Sequence, residues 1–360
     1  MFLFAALIYV PAIWAPPHLM DDTDAVQAQI ARNMLDSGDW VTARLDGVAF
    51  LEKSPLKYWM VATSFAIFGD HDWAAELPLT GCLLGLCWML TRMGRWAFGN
   101  DVGGGDAGFY AGLTFSTCIG LFLFTRILIP DAVLTGSIAF SMWALMRALD
   151  DQERSPRLWA HLMAVAMALG ILLKGLIALV FPIGAGLVFL GISGQLLQAR
   201  TWKRLRPFSA VLIILAVAGP WFVLATLRNP PYFDFSMDSG PGKYRGFFWF
   251  YFFNEHILRF LNRRWPRDYD TVPRHLFWLF HLIWFFPWSA YLPRLFKLRY
   301  LAGDRAANMR LLCLCWAGFI LIFFTFSTTQ EYYSLPTYPA FALLLGSAMA
   351  ENSGWIRRGS

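Results

Sequence analysis

Asp21, Asp22 and Asp24 stand within four positions of one another. Carboxylates this close repel unless a cation or a role as base holds them. The plainer alternative is the acid-rich start of a helix, where the N-terminal dipole favours negative charge. Further along, Phe50-Leu51-Glu52-Lys53-Ser54-Pro55-Leu56-Lys57-Tyr58-Trp59 sets two lysines beside apolar residues. Their ammonium groups can hold a phosphate at the level of lipid headgroups, or can anchor a surface helix by snorkelling. Asp131 follows Arg126 and Pro130 at the start of an apolar run, where an acid often does no more than meet a helix dipole. Lys174 lies between two apolar runs in Leu172-Leu173-Lys174-Gly175-Leu176. A lone lysine there is costly unless it reaches water, an anion or a carbonyl, which makes it a functional candidate.

A second group falls in Tyr251-Phe252-Phe253-Asn254-Glu255-His256-Ile257-Leu258-Arg259-Phe260-Leu261-Asn262-Arg263-Arg264. On an α-helix His256, Arg259 and Arg263 share one face, suited to a phosphate, a diphosphate or a metal-bound acid. Glu255 and Arg259, four apart, can instead simply pair. Tyr332 and Tyr333 open the last apolar run and can donate to a phosphate or serve only as interface tyrosines. Cys82, Cys87, Cys118, Cys313 and Cys315 all lie inside apolar runs and read as small buried hydrophobes. Gly103-Gly104-Gly105-Asp106-Ala107-Gly108 has the spacing of a dinucleotide loop, but no βαβ pattern surrounds it, and it reads as a linker.

These residues must be positioned by membrane helices. The chain of 360 residues is 57% hydrophobic and 15% charged, well below the quarter or so of charged residues usual in soluble domains. Apolar runs long enough to span recur at about 73–97, 107–125, 131–149, 159–173, 175–193, 207–227, 274–298, 308–326 and 333–350. With Met1 to Ala15, which lacks the basic start and cleavage site of a signal peptide, they predict roughly ten transmembrane helices. Short connections holding Arg92 and Arg95, Arg147, Arg154 and Arg157, Arg200, Lys203, Arg204 and Arg206, and Arg294 to Arg310 fall on one side, the cytoplasmic one by the positive-inside rule. The long loops 16–72 and 228–273 then lie outside and hold most of the charge that topology does not explain. Within the first, the pattern predicts an amphipathic helix over Asp24 to Leu35, ended by Ser37-Gly38-Asp39, and a second helix over Leu56 to Phe68 with Pro55 at its start. The net charge of +6 reflects cytoplasmic loops, with no dense basic run for nucleic acid.

Taken in order, several segments resemble the bacterial members of the protein O-mannosyltransferase superfamily, including the lipid A aminoarabinose transferases. The most specific part is Ile30-Ala31-Arg32-Asn33-Met34-Leu35-Asp36-Ser37-Gly38-Asp39-Trp40-Val41, followed by Gly47 and Glu52-Lys53-Ser54-Pro55-Leu56. Asp131, Leu173-Lys174-Gly175, Pro220-Trp221, His256 with Arg259-Phe260, Pro287-Trp288 and Tyr333 to Pro336 fall where the family has counterparts. The resemblance implies an all-α polytopic membrane protein with the C-type glycosyltransferase fold. Residues 1–350 would form its transmembrane catalytic domain and 351–360 a cytoplasmic tail. Relatives tend to run longer, so it also implies a shortened chain.

The same resemblance implies a transferase in the cell (inner) membrane, its site facing the extracytoplasmic side. It would use a polyprenyl-phosphate sugar and a lipid, glycan or protein hydroxyl as acceptor, and no nucleotide or organic cofactor. The base maps into Asp21 to Asp24: ungapped, Thr23 takes the first acid's place and Asp24 the second's, while a short shift puts Asp22 first. Lys53 and Tyr333 match contacts to the lipid phosphate, with Lys174, Arg259 and Arg263 as further phosphate-binding candidates and Asp131 as a further catalytic one. Glu52 and His256 match positions that bind a divalent metal in some relatives. Departures are Val26 at a position often basic, Ser54 in place of the first proline of Glu-Lys-Pro-Pro, and Gln330-Glu331 where many relatives carry a lysine-containing stretch. The aromatic stretch 247–253 would line a groove for the prenyl chain. Lys53→Ala is expected to lower activity far more than Lys57→Ala.

Overall fold

A computed structural model describes residues 1–15, 19, 22–99, 106–267, 272–301, 303–327 and 330–351. Asp21 and Gly103 to Gly105 lie outside the described residues, as does the side chain of Asp22. Among the described residues the regular structure is helical apart from one small antiparallel hairpin, β1 (Arg44–Leu45) and β2 (Val48–Ala49). Its helices are α1 (Phe2–Ala12), α2 (Asp22–Ser37), α3 (Leu56–Phe68), α4 (Asp72–Phe98), α5 (Ala107–Ser116), α6 (Ile119–Phe124), α7 (Asp131–Leu149) and α8 (Pro156–Lys174). Next come α9 (Ile177–Ile192), α10 (Ala199–Leu205), α11 (Pro207–Arg228), the short α12 (Gly246–Phe248), α13 (Arg274–Trp284), α14 (Arg305–Phe326) and α15 (Tyr338–Glu351).

Both helices expected in the first long loop form, α3 with the bounds read from sequence. Among the described residues, five helical stretches are long and apolar enough to cross a bilayer: α4, α7, α8, the α10–α11 pair joined at Arg206 and α14. The expected count of about ten transmembrane helices is not confirmed by helix length among the described residues, because several apolar runs are broken. The run 107–125 splits at Thr117-Cys118, where Trp288 Nε1 donates to Thr117 Oγ1 at 2.8 Å and the Ile119 amide donates to Phe286 O at 3.0 Å. The run 274–298 passes from α13 into a 3₁₀ segment, Trp288–Lys297, beyond Pro287 and containing Pro293. The last run likewise opens as 3₁₀ turns, Glu331–Thr337 around Pro336, before α15.

The bundle closes through small residues. A Cβ on Gly94 would come within 2.8 Å of Gly108 Cα, so α4 and α5 cross nearly backbone to backbone. Outside the bundle, Ala28 and Ala31 of α2 pack on Val61, Ala62 and Phe65 of α3 and on Ala74 and Ala75 of α4. The Ser37-Gly38-Asp39 stop is architectural. Gly38 takes φ +69°, and Asp39 Oδ1 accepts the amides of Val41 and Thr42 at 3.1 Å each and pairs with Arg228 of α11 at 2.7 Å. Trp221 Nε1 donates to Val41 O at 3.0 Å, so the outer loop is moored to α11 at two points.

The bundle has two chemically distinct ends. At one, the connectors after α7, after α9 and before α14 meet, with Arg200 and Arg204 on Asp151 and Arg305 on Asp150. At the other lie the end of α8, the start of α9, the end of α14 and the long loops.

Candidate active site

At that second end a cavity of about 340 Å³ gathers residues far apart in sequence: Glu52, Lys53 and Ser54 before α3, Lys174 at the end of α8, His256 and Arg259 of the second long loop, and Tyr333. Its other wall is apolar, made by Leu176, Ile177 and Val180 of α9, Ile257, Phe260 and Leu261, and Phe323 and Phe324 of α14. The aromatic stretch 247–253 is not part of this wall. Phe247, Trp249 and Tyr251 are buried against α11 and the loop before α12 instead.

Lys174 is held by its surroundings. Its Nζ lies 2.5 Å from Asp131 Oδ1 and 4.5 Å from the centroid of the Tyr333 ring, with Tyr332 at 5.4 Å. Asp131 is 2% exposed and does not line the cavity, so its evident work is to hold the Lys174 ammonium at the wall. Removing one partner of such a buried pair typically costs about 3–5 kcal/mol. The next residue permits the geometry. Gly175 has φ +81°, and a Cβ there would run into His256 Nε2 and come within 2.6 Å of the Tyr251 hydroxyl. Gly175→Ala should therefore push the second long loop away from the α8–α9 turn, with a fall of at least tenfold in activity and a lower melting temperature. A variant that melts and turns over like the parent would contradict this packing.

The second long loop departs from the expected α-helix. Trp249–Leu258 is a wide helix with i→i+5 bonds, and the helical backbone stops before Asn262, which takes φ +55°. The wider period leaves His256 and Arg259 at the cavity but puts Arg263 beyond the helix and off the cavity wall. Arg263 thus does not share a face with them, contrary to the α-helical spacing. Glu255, 6% exposed, takes Arg259 at 3.3 Å and Arg264 at 2.5 Å, so the i, i+4 pairing is present.

His256 is fully engaged. Nδ1 donates to Tyr251 O at 2.6 Å and Nε2 accepts the Leu176 amide at 3.2 Å. Both nitrogens are used by backbone, so the ring does not fit the role of metal ligand, and among the described residues no three His, Cys, Asp or Glu side chains gather around a common point. Although part of the residue is exposed, its ring packs 4.8 Å from that of Tyr251. This desolvation, with Lys53 and Arg259 nearby, pushes its pKa down to about 4. A protonated Nε2 could no longer accept the Leu176 amide. Because the folded value lies below the ordinary one near 6.5, the stabilisation is complete above about pH 6.5 and is withdrawn as pH falls toward 4. The melting-temperature advantage of the parent over His256→Gln should be constant above pH 6.5 and shrink below it. An advantage that shrinks with rising pH would contradict this.

Beneath the cavity lies a second polar layer. Asp24, 6% exposed, accepts the Leu128 amide at 2.6 Å. Lys57, 5% exposed, donates to Gln27 Oε1 at 2.7 Å and to Leu128 O. Burial lowers the Lys57 pKa well below its usual range, with Asp24 and Asp131 opposing and Lys53 adding to the effect. Lys57 is therefore an internal strut between α2, α3 and the segment leading into Asp131. It is not a snorkelling anchor. Ser54 Oγ donates to Ile171 O at 2.8 Å and meets the Tyr251 hydroxyl, tying the Glu52-Lys53 turn to α8 and to the wide helix.

Of the residues chosen from sequence, Glu52, Lys53, Lys174, His256, Arg259 and Tyr333 share one cavity. Asp131 stands behind it, joined to it through Lys174, and Asp24 lies in the field of the buried Lys57. Lys53 has Glu52 at 3.8 Å as its ion partner, the loosest pairing of the three cavity cations. Sequence reading overlooked Tyr251, and it noted Ser54 only as a departure. Their hydroxyls carry no pattern of their own and matter only once two distant loops meet.

The family model of dolichyl-phosphate-mannose-protein mannosyltransferases matches residues 52–223. An undecaprenyl phosphate-alpha-4-amino-4-deoxy-L-arabinose arabinosyl transferase of Pseudomonas fluorescens is 29% identical, the match covering 96% of this chain and 54% of the relative. One from Pseudomonas aeruginosa is 28% identical, with 94% and 56% covered. The crystal structure of ArnT from Cupriavidus metallidurans bound to undecaprenyl phosphate superposes with a TM-score of 0.82 at 24% identity, covering 97% of this chain and 59% of that one. The apo form gives 0.80. The chain thus spans little more than half the length of the relatives it matches. Sequence and fold together show a multi-pass membrane protein with the C-type glycosyltransferase fold, similar over residues 52–223 to the dolichyl-phosphate-mannose-protein mannosyltransferases and over nearly its whole length to the aminoarabinose transferases.

Proposed function

We propose that this chain carries the active site of a membrane glycosyltransferase that moves a sugar from a polyprenyl phosphate to a hydroxyl of a lipid, glycan or protein at the extracytoplasmic face of the inner membrane. One observation carries the reading: Lys53, Lys174 and Arg259 converge on a cavity whose opposite wall is apolar and partly exposed at Val180, Ile257 and Leu261. Such a site suits a lipid with an anionic headgroup, the phosphate meeting the cations and the prenyl chain lying along α9 and α14.

A sugar on a lipid phosphate already has a good leaving group. Positive charge on the departing phosphate and a base for the acceptor hydroxyl suffice, with no general acid. Lys53, Lys174 and Arg259 supply the charge, and Tyr333 is a further donor at the wall. Asp131 positions Lys174. In the acidic cluster Asp24 is committed to the Leu128 amide, which supports assigning the base to Asp22, with Asp24 as its anchor. Displacement then occurs in one step with inversion at the anomeric carbon. Glu52 and His256 do not serve as a metal pair in this scheme, since both nitrogens of His256 are already bonded.

The test is to incubate detergent-purified protein with labelled polyprenyl-phosphate sugars and candidate acceptors. Release of polyprenyl phosphate and an inverted product are expected. No release in detergent, with movement of the lipid only in sealed vesicles, would make the chain a transporter. A covalent glycosyl-enzyme or a retained anomer would rule out the single displacement.

A further inference from the structure

A different site lies at the opposite end of the bundle. The end of α7, the first half of α8, the second half of α9, α10 and the start of α11 enclose an apolar groove of about 250 Å³, lined by residues including Met163, Leu187, Trp202, Leu205 and Val211. These elements run away from Lys174 and Asp131, so the groove belongs to the other leaflet.

Its mouth is basic. α10, Ala199-Arg200-Thr201-Trp202-Lys203-Arg204-Leu205, turns Trp202 and Leu205 into the groove, while Lys203 stays exposed and Arg206 is half-exposed. Arg200 and Arg204 share the single acid Asp151. Among the described residues Lys203 and Arg206 have no acidic partner, so four cations face one carboxylate. Above them α11 continues the apolar surface, since Val211, Leu212 and Leu215 are more than half exposed. Positive charge on residues next to the lining of a chain-sized apolar groove is complementary to an anionic headgroup on an acyl chain.

We propose that this groove binds an anionic phospholipid of the leaflet on the basic side, an acyl chain lying between α8, α9 and α11 and the phosphate held by Lys203 and Arg206. The site is separate from the donor cavity and does not depend on the proposed transfer reaction.

The test uses purified protein with spin-labelled phosphatidylglycerol and phosphatidylcholine, comparing the parent with Lys203→Ala/Arg206→Ala and with Arg92→Ala/Arg95→Ala. The second pair removes two arginines at the same end but away from the groove. Phosphatidylglycerol should associate selectively with the parent, about thirtyfold more weakly with the Lys203/Arg206 variant, and within about twofold of the parent with the Arg92/Arg95 variant. Equal losses in the two variants would mean diffuse attraction and overturn the proposal. So would displacement of the label by polyprenyl phosphate but not by phosphatidylglycerol, which would assign the groove to the prenyl lipid. A dimer that buries the groove and excludes lipid would overturn it as well.

Discussion

Asp22→Asn should abolish transfer, lowering turnover about 10²–10⁴-fold while leaving the melting temperature within a degree or two of the parent. An amide cannot take the acceptor's proton, but it keeps the size and shape of the carboxylate. Asp24→Asn should behave in the opposite way. Its carboxylate is buried, fixes the Leu128 amide and lies in the field of Lys57. An amide oxygen can still accept from Leu128, but the charge that offsets the Lys57 ammonium is gone. A clear loss of stability with a turnover loss under about tenfold is expected. The two variants, measured side by side for initial rate and thermal unfolding, separate base from anchor. Loss of turnover without loss of stability in Asp24→Asn, together with a mild Asp22→Asn, would exchange the two roles. Mild effects at Asp21, Asp22 and Asp24 alike would reduce the cluster to the start of α2.

The second large effect concerns the lysines. Lys53→Ala should cost about 10²–10³ in turnover at unchanged stability, the typical loss when one preorganised donor to developing negative charge is removed. Lys53 lines the cavity and its counter-ion is loosely placed, 3.8 Å away, so its charge is available to a bound phosphate. Sequence alone suggests that Lys57→Ala would be comparatively harmless, and the structure changes that expectation. Lys57 is internal, and its removal leaves Gln27 and the Leu128 carbonyl without their donor at about 1–3 kcal/mol for each buried acceptor. Lys57→Ala should therefore also lose activity, but through a lower melting temperature. Lys53→Arg should restore part of the parent's rate, whereas Lys57→Arg should not restore stability, because a larger guanidinium overpacks a buried site. Identical phenotypes for the two alanine variants would deny Lys53 a special role.

Much of this could be read without coordinates, for identifiable reasons. Apolar length, the basic connectors and the Pro55 and Gly38 signals act locally, and α2 and α3 form where they direct. Lys53, Lys174, His256, Arg259 and Tyr333 stand out because charge and polarity in apolar surroundings need a reason, and they do meet. The misreadings share a different cause. α-Helical periodicity places Arg263 on the cavity face, but the helical backbone ends before Asn262, which takes φ +55°. Lys57 reads as a surface residue because burial by α2, some thirty residues earlier, leaves no trace in its neighbours. Composition assigns the aromatic stretch 247–253 to the cavity, whereas its orientation is set by Trp221 and Phe222 of α11. The runs at 107–125, 274–298 and 333–350 are apolar enough to span, yet they break at contacts made only in the folded bundle, such as Trp288 on Thr117.

The cavity formed by Lys53, Lys174 and Arg259 is assigned to the phosphate of a prenyl lipid, and every other role depends on that assignment. Equilibrium binding of radiolabelled undecaprenyl phosphate to the purified protein in detergent tests it most directly. Saturable binding is expected, weakened at least tenfold by Lys53→Ala and by Arg259→Ala and unaffected by Asp22→Asn or Lys203→Ala. Binding of equal strength in the parent and in both cavity variants would contradict the assignment.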